Sequence, residues 1–145
     1  MEPAAGAPAD TRGLVLVCDD TESIRRLLRI NLELDGFEVI ESPEGEHVVA
    51  ELDRLLASDR LPHVVILDAE MYPRDGWWAL ARIRSLPAYD GLPIIMATAE
   101  PACEDRARMR AAGLDACVRK PFDPDLVMSL VDGFRREGRE HVPTL

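Results

Sequence analysis

An open α/β fold is predicted, with a five-stranded parallel sheet in the order 2-1-3-4-5 and five helices distributed over both faces. Three features predict it. Strand-like apolar runs alternate with helix-spaced apolar positions five times along the chain. Runs such as Leu14–Cys18 and Pro93–Ala97 are continuously apolar, as in strands covered on both faces. Five such units in 145 residues favour the flavodoxin-like doubly wound order over the Rossmann-like one, with right-handed crossovers.

The first strand spans Leu14–Cys18. Thr21 is positioned to cap the helix that follows, whose apolar residues Ile24, Leu27, Leu28 and Leu32 recur at helical spacing until Gly36 stops it. Phe37–Glu41 is a short second strand. Ser42-Pro43 has the form of a cap followed by proline in the first turn, ahead of a stripe of Val48, Val49, Leu52, Leu55 and Leu56. Pro62 breaks the chain before the third strand, His63–Leu67. A loop through Tyr72–Gly76 leads to a helix carrying Trp77, Leu80, Ala81 and Ile83. Trp77 and Trp78 are neighbours, so they point about 100° apart, which predicts one in the core and the other partly covered or exposed.

The segment from Pro87 to Leu92 is turn-rich, and Pro93–Ala97 is the fourth strand. Residues Cys103 to Ala112 read as a weakly amphipathic helix ended by Gly113. Ala116–Arg119 is the last strand. Asp123-Pro124 opens a final helix with Leu126, Val127, Leu130, Val131 and Phe134 on one face. The expected organisation is an N-terminal tail over 1–11, one domain over 12–137 and a fraying polar tail over 138–145.

Composition narrows the function classes. The net charge of −10 repels phosphate backbones, which disfavours direct nucleic-acid binding and suits a protein that docks other proteins or holds cations. No run approaches the roughly 20 apolar residues of a membrane span, and the acidic, Pro-bearing start lacks the pattern of a secretory signal. The three cysteines, Cys18, Cys103 and Cys117, are odd in number and form no CxxC. They are therefore expected to be reduced core or surface residues in a cytoplasmic protein. No glycine-rich phosphate loop follows the first strand, which argues against nucleotide binding.

Open parallel sheets bind ligands beyond the carboxyl ends of their strands. Those ends carry Asp19 and Asp20 (first strand), Asp68 (third), Thr98 (fourth) and Lys120 (fifth). Three carboxylates on one rim repel one another unless a proton or a cation sits among them. An all-oxygen cluster suits a hard ion such as Mg²⁺. Asp68, between that ion and the Lys120 ammonium, is a plausible nucleophile toward phosphorus, with Thr98 a hydrogen-bond donor to a phosphoryl oxygen.

Asp19-Asp20, Asp68 with Met71 and Asp75-Gly76, Thr98-Ala99 and Lys120-Pro121-Phe122 together resemble the motif set of bacterial two-component response-regulator receiver domains, the CheY-like superfamily. The resemblance spans about residues 12 to 137. It implies that Asp68 is the phosphoacceptor, contacted when phosphorylated by Thr98 and Lys120. It implies Mg²⁺, with Mn²⁺ as a substitute, held by Asp20, Asp68 and the Glu70 backbone carbonyl, with Asp19 acting mainly through water. Ala69, Glu70, Ala99 and Glu100 fall at positions that modulate the reaction, and Thr98, Cys117 and Pro121 in the switch region. The Lys120–Pro121 bond is typically cis in such proteins.

Two departures stand out: Tyr72 separates Met71 from Pro73, and Cys117 stands where an aromatic switch residue is usual. The implied partners are a sensor histidine kinase or histidine phosphotransfer protein and an output protein or fused output domain; a homodimer is a further option. A receiver catalyses only its own phosphorylation and dephosphorylation. Two other readings compete: a phosphorylation-independent pseudo-receiver, and an aspartyl-nucleophile phosphatase with Glu70 as its general acid.

Overall fold

A computed structural model of the chain describes residues 11–99 and 104–143. Its elements are β1 (Leu14–Cys18), α1 (Glu22–Leu34), β2 (Glu38–Ser42), α2 (Gly45–Ala57), β3 (Val64–Asp68), α3 (Gly76–Arg84), β4 (Ile94–Thr98), α4 (Arg106–Ala111), β5 (Ala116–Arg119) and α5 (Pro124–Glu137). The strands pair in parallel in the order β2-β1-β3-β4-β5. Every residue of β1, β3 and β4 is buried, which is why their sequences are continuously apolar. Alternate residues serve opposite faces. Leu14, Leu16 and Cys18 pack with α2, α3 and Met109 of α4, whereas Val15 and Val17 pack with α1 and α5. The strand order reverses between β1 and β3, so their carboxyl ends flank the crevice at the switch point.

The helix starts follow different local chemistry from that predicted at two places. Thr21 precedes α1, but its side chain makes no capping bond; the Asp19 carboxylate instead accepts from the Thr21 amide at 2.8 Å. Ser42 does not cap α2. It is the last residue of β2, fully buried beside Cys18, and Glu44 caps the helix by accepting from the Glu46 and His47 amides at 2.9 and 2.8 Å. Leu27 is 45% exposed, so only Leu28 and Leu32 of the predicted α1 stripe are buried. Asp75 caps α3, accepting from the Trp78 amide at 2.8 Å.

Gly76 enters α3 against the end of β3. A Cβ built there would lie 2.3 Å from the Asp68 carbonyl oxygen, which is backbone and cannot swing aside. Gly76→Ala is therefore expected to lower stability by roughly 2–3 kcal/mol. Urea unfolding measures this, and an unchanged midpoint would contradict the close approach.

Three expectations need correction. Both tryptophans are half-buried, packed against the α2/α3 cluster, and Arg74 stacks over the Trp78 ring at 5.1 Å. Part of the tail beyond α5 packs on the domain, at Arg139 and His141, whereas Val142 is 78% exposed. Asp115 is almost fully buried and draws in Arg139 at 2.8 Å. His141 then lies edge-on to Phe134, with ring centroids 5.1 Å apart. Finally, Cys18 is a buried free thiol, but Cys117 is disulfide-bonded; an odd count without CxxC spacing gave no sign of pairing. Cys103 and Glu100 lie outside the described residues, as do residues 1–10 of the expected N-terminal tail. Within that boundary, α4 is short, with Met109 its one buried residue, in keeping with weak amphipathicity.

Candidate functional site

The carboxyl ends of β1, β3, β4 and β5 bring the predicted residues to one rim. Carboxylate oxygens of Asp19, Asp20 and Asp68 all lie within 4.8 Å of one another. Asp19 and Asp68 are buried and Asp20 is exposed, so the cluster opens to solvent on the Asp20 side. Lys120 Nζ donates to Asp68 Oδ1 at 2.7 Å and stands 3.6 Å from Asp19 Oδ2. Its position is set by the backbone: the Lys120 amide donates to the Thr98 carbonyl at 2.8 Å, and the Lys120–Pro121 bond is cis. The Tyr72–Pro73 bond in the loop after Asp68 is cis as well. Asp68 Oδ1 also accepts from the Glu70 amide at 3.1 Å. Beneath the rim, Cys18 Sγ and Met71 Sδ are 3.4 Å apart, and burial pushes the Cys18 thiol well above its ordinary pKa.

Burial dominates the electrostatics of Asp68. It raises the carboxyl pKa to about 6, against the pull of the Lys120 hydrogen bond and with added repulsion from Asp19. For Lys120, burial disfavours the charge, but the hydrogen bond it donates to Asp68 and the charges of Asp19, Asp68 and Glu70 outweigh it and hold the ammonium above its usual pKa. Two buried acids share one ammonium, and an exposed third lies alongside. That donor set, oxygen-only and over-negative, fits a hard divalent cation. A cation must displace the Asp68 proton, so its affinity is expected to fall by about tenfold per pH unit below pH 6. Calorimetric Mg²⁺ titrations across pH 5 to about 8 measure this; a flat profile would contradict it.

Some site features were not legible in the sequence. Arg25 donates to the Asp19 carbonyl at 2.7 Å and pairs with Glu41 at 3.2 Å, tying α1 to β1 and β2. The Glu70 side chain reaches across the rim to β4. One of its oxygens accepts from the Thr98 hydroxyl at 2.8 Å and the other from the Ala99 amide at 2.9 Å. Ala69, buried behind Asp68, donates its amide to the Ala97 carbonyl at 2.8 Å and locks the two strand ends together. Only the alternation of strand ends was visible beforehand, not which side chains bridge them.

The family model described as the response regulator receiver domain matches residues 15–132 of this chain. The chain belongs to that family. The receiver is 35% identical over 128 residues to the phosphate regulon transcriptional regulatory protein PhoB of Rhizobium meliloti, a match covering 88% of this chain and 54% of that protein. It is 28% identical over 130 residues to Protein PilG of Pseudomonas aeruginosa, covering 90% and 87% respectively. The receiver thus spans about half the length of the first relative and most of the second. Among solved structures, the chemotaxis response regulator CheY4 of Vibrio cholerae superposes with a TM-score of 0.70 at 28% identity, over 82% of this chain and 95% of that one. A putative response regulator from Chloroflexus aurantiacus superposes with a TM-score of 0.73 at 26% identity, over 86% and 98%. Receivers are signalling domains of two-component systems, and phosphorylation on an aspartate with magnesium is typical of them. Among the described residues, no helix is long and apolar enough to cross a membrane.

Proposed function

We propose that this receiver is a phosphorylation switch whose acceptor is Asp68. The observation that carries the reading is a buried carboxylate, paired with Lys120 at 2.7 Å, inside a cluster of three acids at the switch point of the sheet. An oxygen of Asp68 attacks phosphorus and forms the O–P bond. The donor's bond to phosphorus breaks, and its electron pair leaves with the donor, a phosphohistidine nitrogen or the oxygen of a small acyl phosphate. Lys120 then stands beside the transferring oxygens as a fixed positive charge. Asp20, Asp68 and the Glu70 carbonyl would hold Mg²⁺, with Asp19 acting through water; the ion would neutralise charge on the phosphoryl group.

Phosphorylation replaces the single negative charge of the Asp68 carboxylate with a phosphoryl group carrying roughly 1.5 to 2, beside Thr98. A move of Thr98 alters the face built by α4, β5 and α5, where a groove of about 530 Å³ runs between Met109, Leu114, Val118, Leu126 and Val142. An output partner that prefers the altered face shifts the population toward it. The kinase or phosphotransfer protein and the output protein are the expected partners, in the cytoplasm. The chain acts on no substrate beyond its own acyl phosphate. Glu70 supports this over a phosphatase role, since its carboxylate is bonded to Thr98 and Ala99 rather than set over Asp68 as a general acid.

Incubation with a small acyl phosphate and Mg²⁺, followed by intact-mass measurement, tests the reading. A gain of one phosphoryl group that requires the divalent cation is expected. No gain under any condition would favour a pseudo-receiver that works by binding alone.

A further inference from the structure

We propose that the Glu70 side chain is a resting-state latch: its carboxylate occupies the place that two phosphoryl oxygens take after transfer, and it must swing out for the switch to turn on. The inference rests on Asp68 being the phosphoacceptor.

The geometry is specific. Thr98 and Ala99 lie at the carboxyl end of β4, one and two residues past Ala97, which is in register with Asp68 on β3. Their hydroxyl and amide are hydrogen-bond donors at this strand end. Both donate to Glu70, each to a different oxygen, at 2.8 and 2.9 Å. A carboxylate with both oxygens bonded in this way offers the same acceptor pattern as two oxygens of a phosphoryl group. The chain reaches this arrangement because Glu70 follows Asp68 by two residues, with its own amide anchored on Asp68 Oδ1 at 3.1 Å. Its backbone therefore stays at the rim while its side chain spans to β4.

A phosphoryl group on Asp68 carries roughly 1.5 to 2 negative charges against the single charge of Glu70. The two anions compete for the same donors, and like charge drives them apart. Glu70 thus favours the unphosphorylated arrangement of the Thr98–Ala99 segment and raises the barrier to leaving it. Loss of two charge-assisted hydrogen bonds at a solvent-open rim corresponds to roughly a five- to tenfold change in rate.

The test compares the native chain with Glu70→Ala and Glu70→Asp. Glu70→Asp keeps the charge but is one methylene shorter and cannot span both donors. The initial rate of phosphoryl gain from a small acyl phosphate with Mg²⁺ is read by intact mass. The Ala99 amide is read by NMR chemical shift and hydrogen exchange, without cation or phosphodonor. A latch predicts that both variants gain the phosphoryl group roughly five to ten times faster, and that in both the resting Ala99 amide moves upfield and exchanges faster. A gain seen only in the variants also supports it. If Glu70→Asp matches the native chain while Glu70→Ala is faster, simple charge repulsion explains the rate and the latch is overturned. An unchanged Ala99 amide, or equal rates in all three proteins, overturns the latch and leaves Asp68 as acceptor. No phosphoryl gain in any of them overturns the acceptor reading and the latch with it.

Discussion

At about pH 8 and without divalent cation, Asp68→Asn is expected to unfold at higher urea than the native chain, by roughly 1–3 kcal/mol, while accepting no phosphoryl group. The sign follows from the raised pKa. Asp68 titrates near 6 in the folded chain, chiefly because it is buried, and near 3.9 when unfolded. Below about pH 4 both states hold the proton and the group costs nothing. Between about pH 4 and 6 the unfolded state ionises first, so native stability falls by about 1.4 kcal/mol per unit, and above that the deficit persists. Asparagine keeps an oxygen for Lys120 but carries no charge, so the variant escapes the loss. Part of the gain is offset, because Lys120 is left with Asp19 alone at 3.6 Å. The stabilisation is expected to disappear at about pH 4. A variant less stable than the native chain at both pH values would mean that the Lys120 pairing outweighs burial.

Lys120→Met acts in the opposite direction. Methionine preserves the length of the side chain and removes the positive charge that pairs with Asp68 and stands beside Asp19. Breaking a buried ion pair from one side costs about 3–5 kcal/mol. Lys120 is 20% exposed and water reaches the Asp20 side, so roughly 2–4 kcal/mol is expected at neutral pH. The loss should shrink near pH 5, where Asp68 takes up a proton, and millimolar Mg²⁺ should restore part of it because the cation replaces the missing charge. Phosphoryl transfer should fall by roughly a hundredfold or more. Thermal unfolding at two pH values, with and without cation, checks the stability effect. A loss equal at both pH values and indifferent to cation would place the role of Lys120 in packing rather than charge.

The fold was legible because its strands carry no ambiguity. Continuous runs such as Leu14–Cys18, at β1, β3 and β4, fit strands buried on both faces, and five strands alternating with helices leave few topologies. The rim was legible for the same reason: residues that end parallel strands share an edge, so Asp19, Asp20, Asp68, Thr98 and Lys120 converge without any knowledge of side-chain contacts. Legibility fails where two polar groups compete for one role. Ser42-Pro43 has the composition of a cap, yet Ser42 is drawn into β2 beside Cys18 and the capping passes to Glu44. Thr21 yields to Asp19 in the same way. The Glu70 side chain has two plausible targets, the acid cluster and β4, and sequence spacing does not choose between them. The tail beyond α5 reads as solvent-facing because the demand that holds it, the buried Asp115 carboxylate, lies 24 residues before Arg139.

Mapping the modified residue tests the central claim most directly. The chain, phosphorylated with a small acyl phosphate and Mg²⁺, is reduced with borohydride, which converts an aspartyl phosphate to a stable alcohol, and the product is located by peptide mass spectrometry. Conversion confined to Asp68 is the predicted result. Phosphate retained through the reduction on a serine, threonine or histidine, or conversion at Asp19, Asp20 or Glu70 with Asp68 intact, would contradict it.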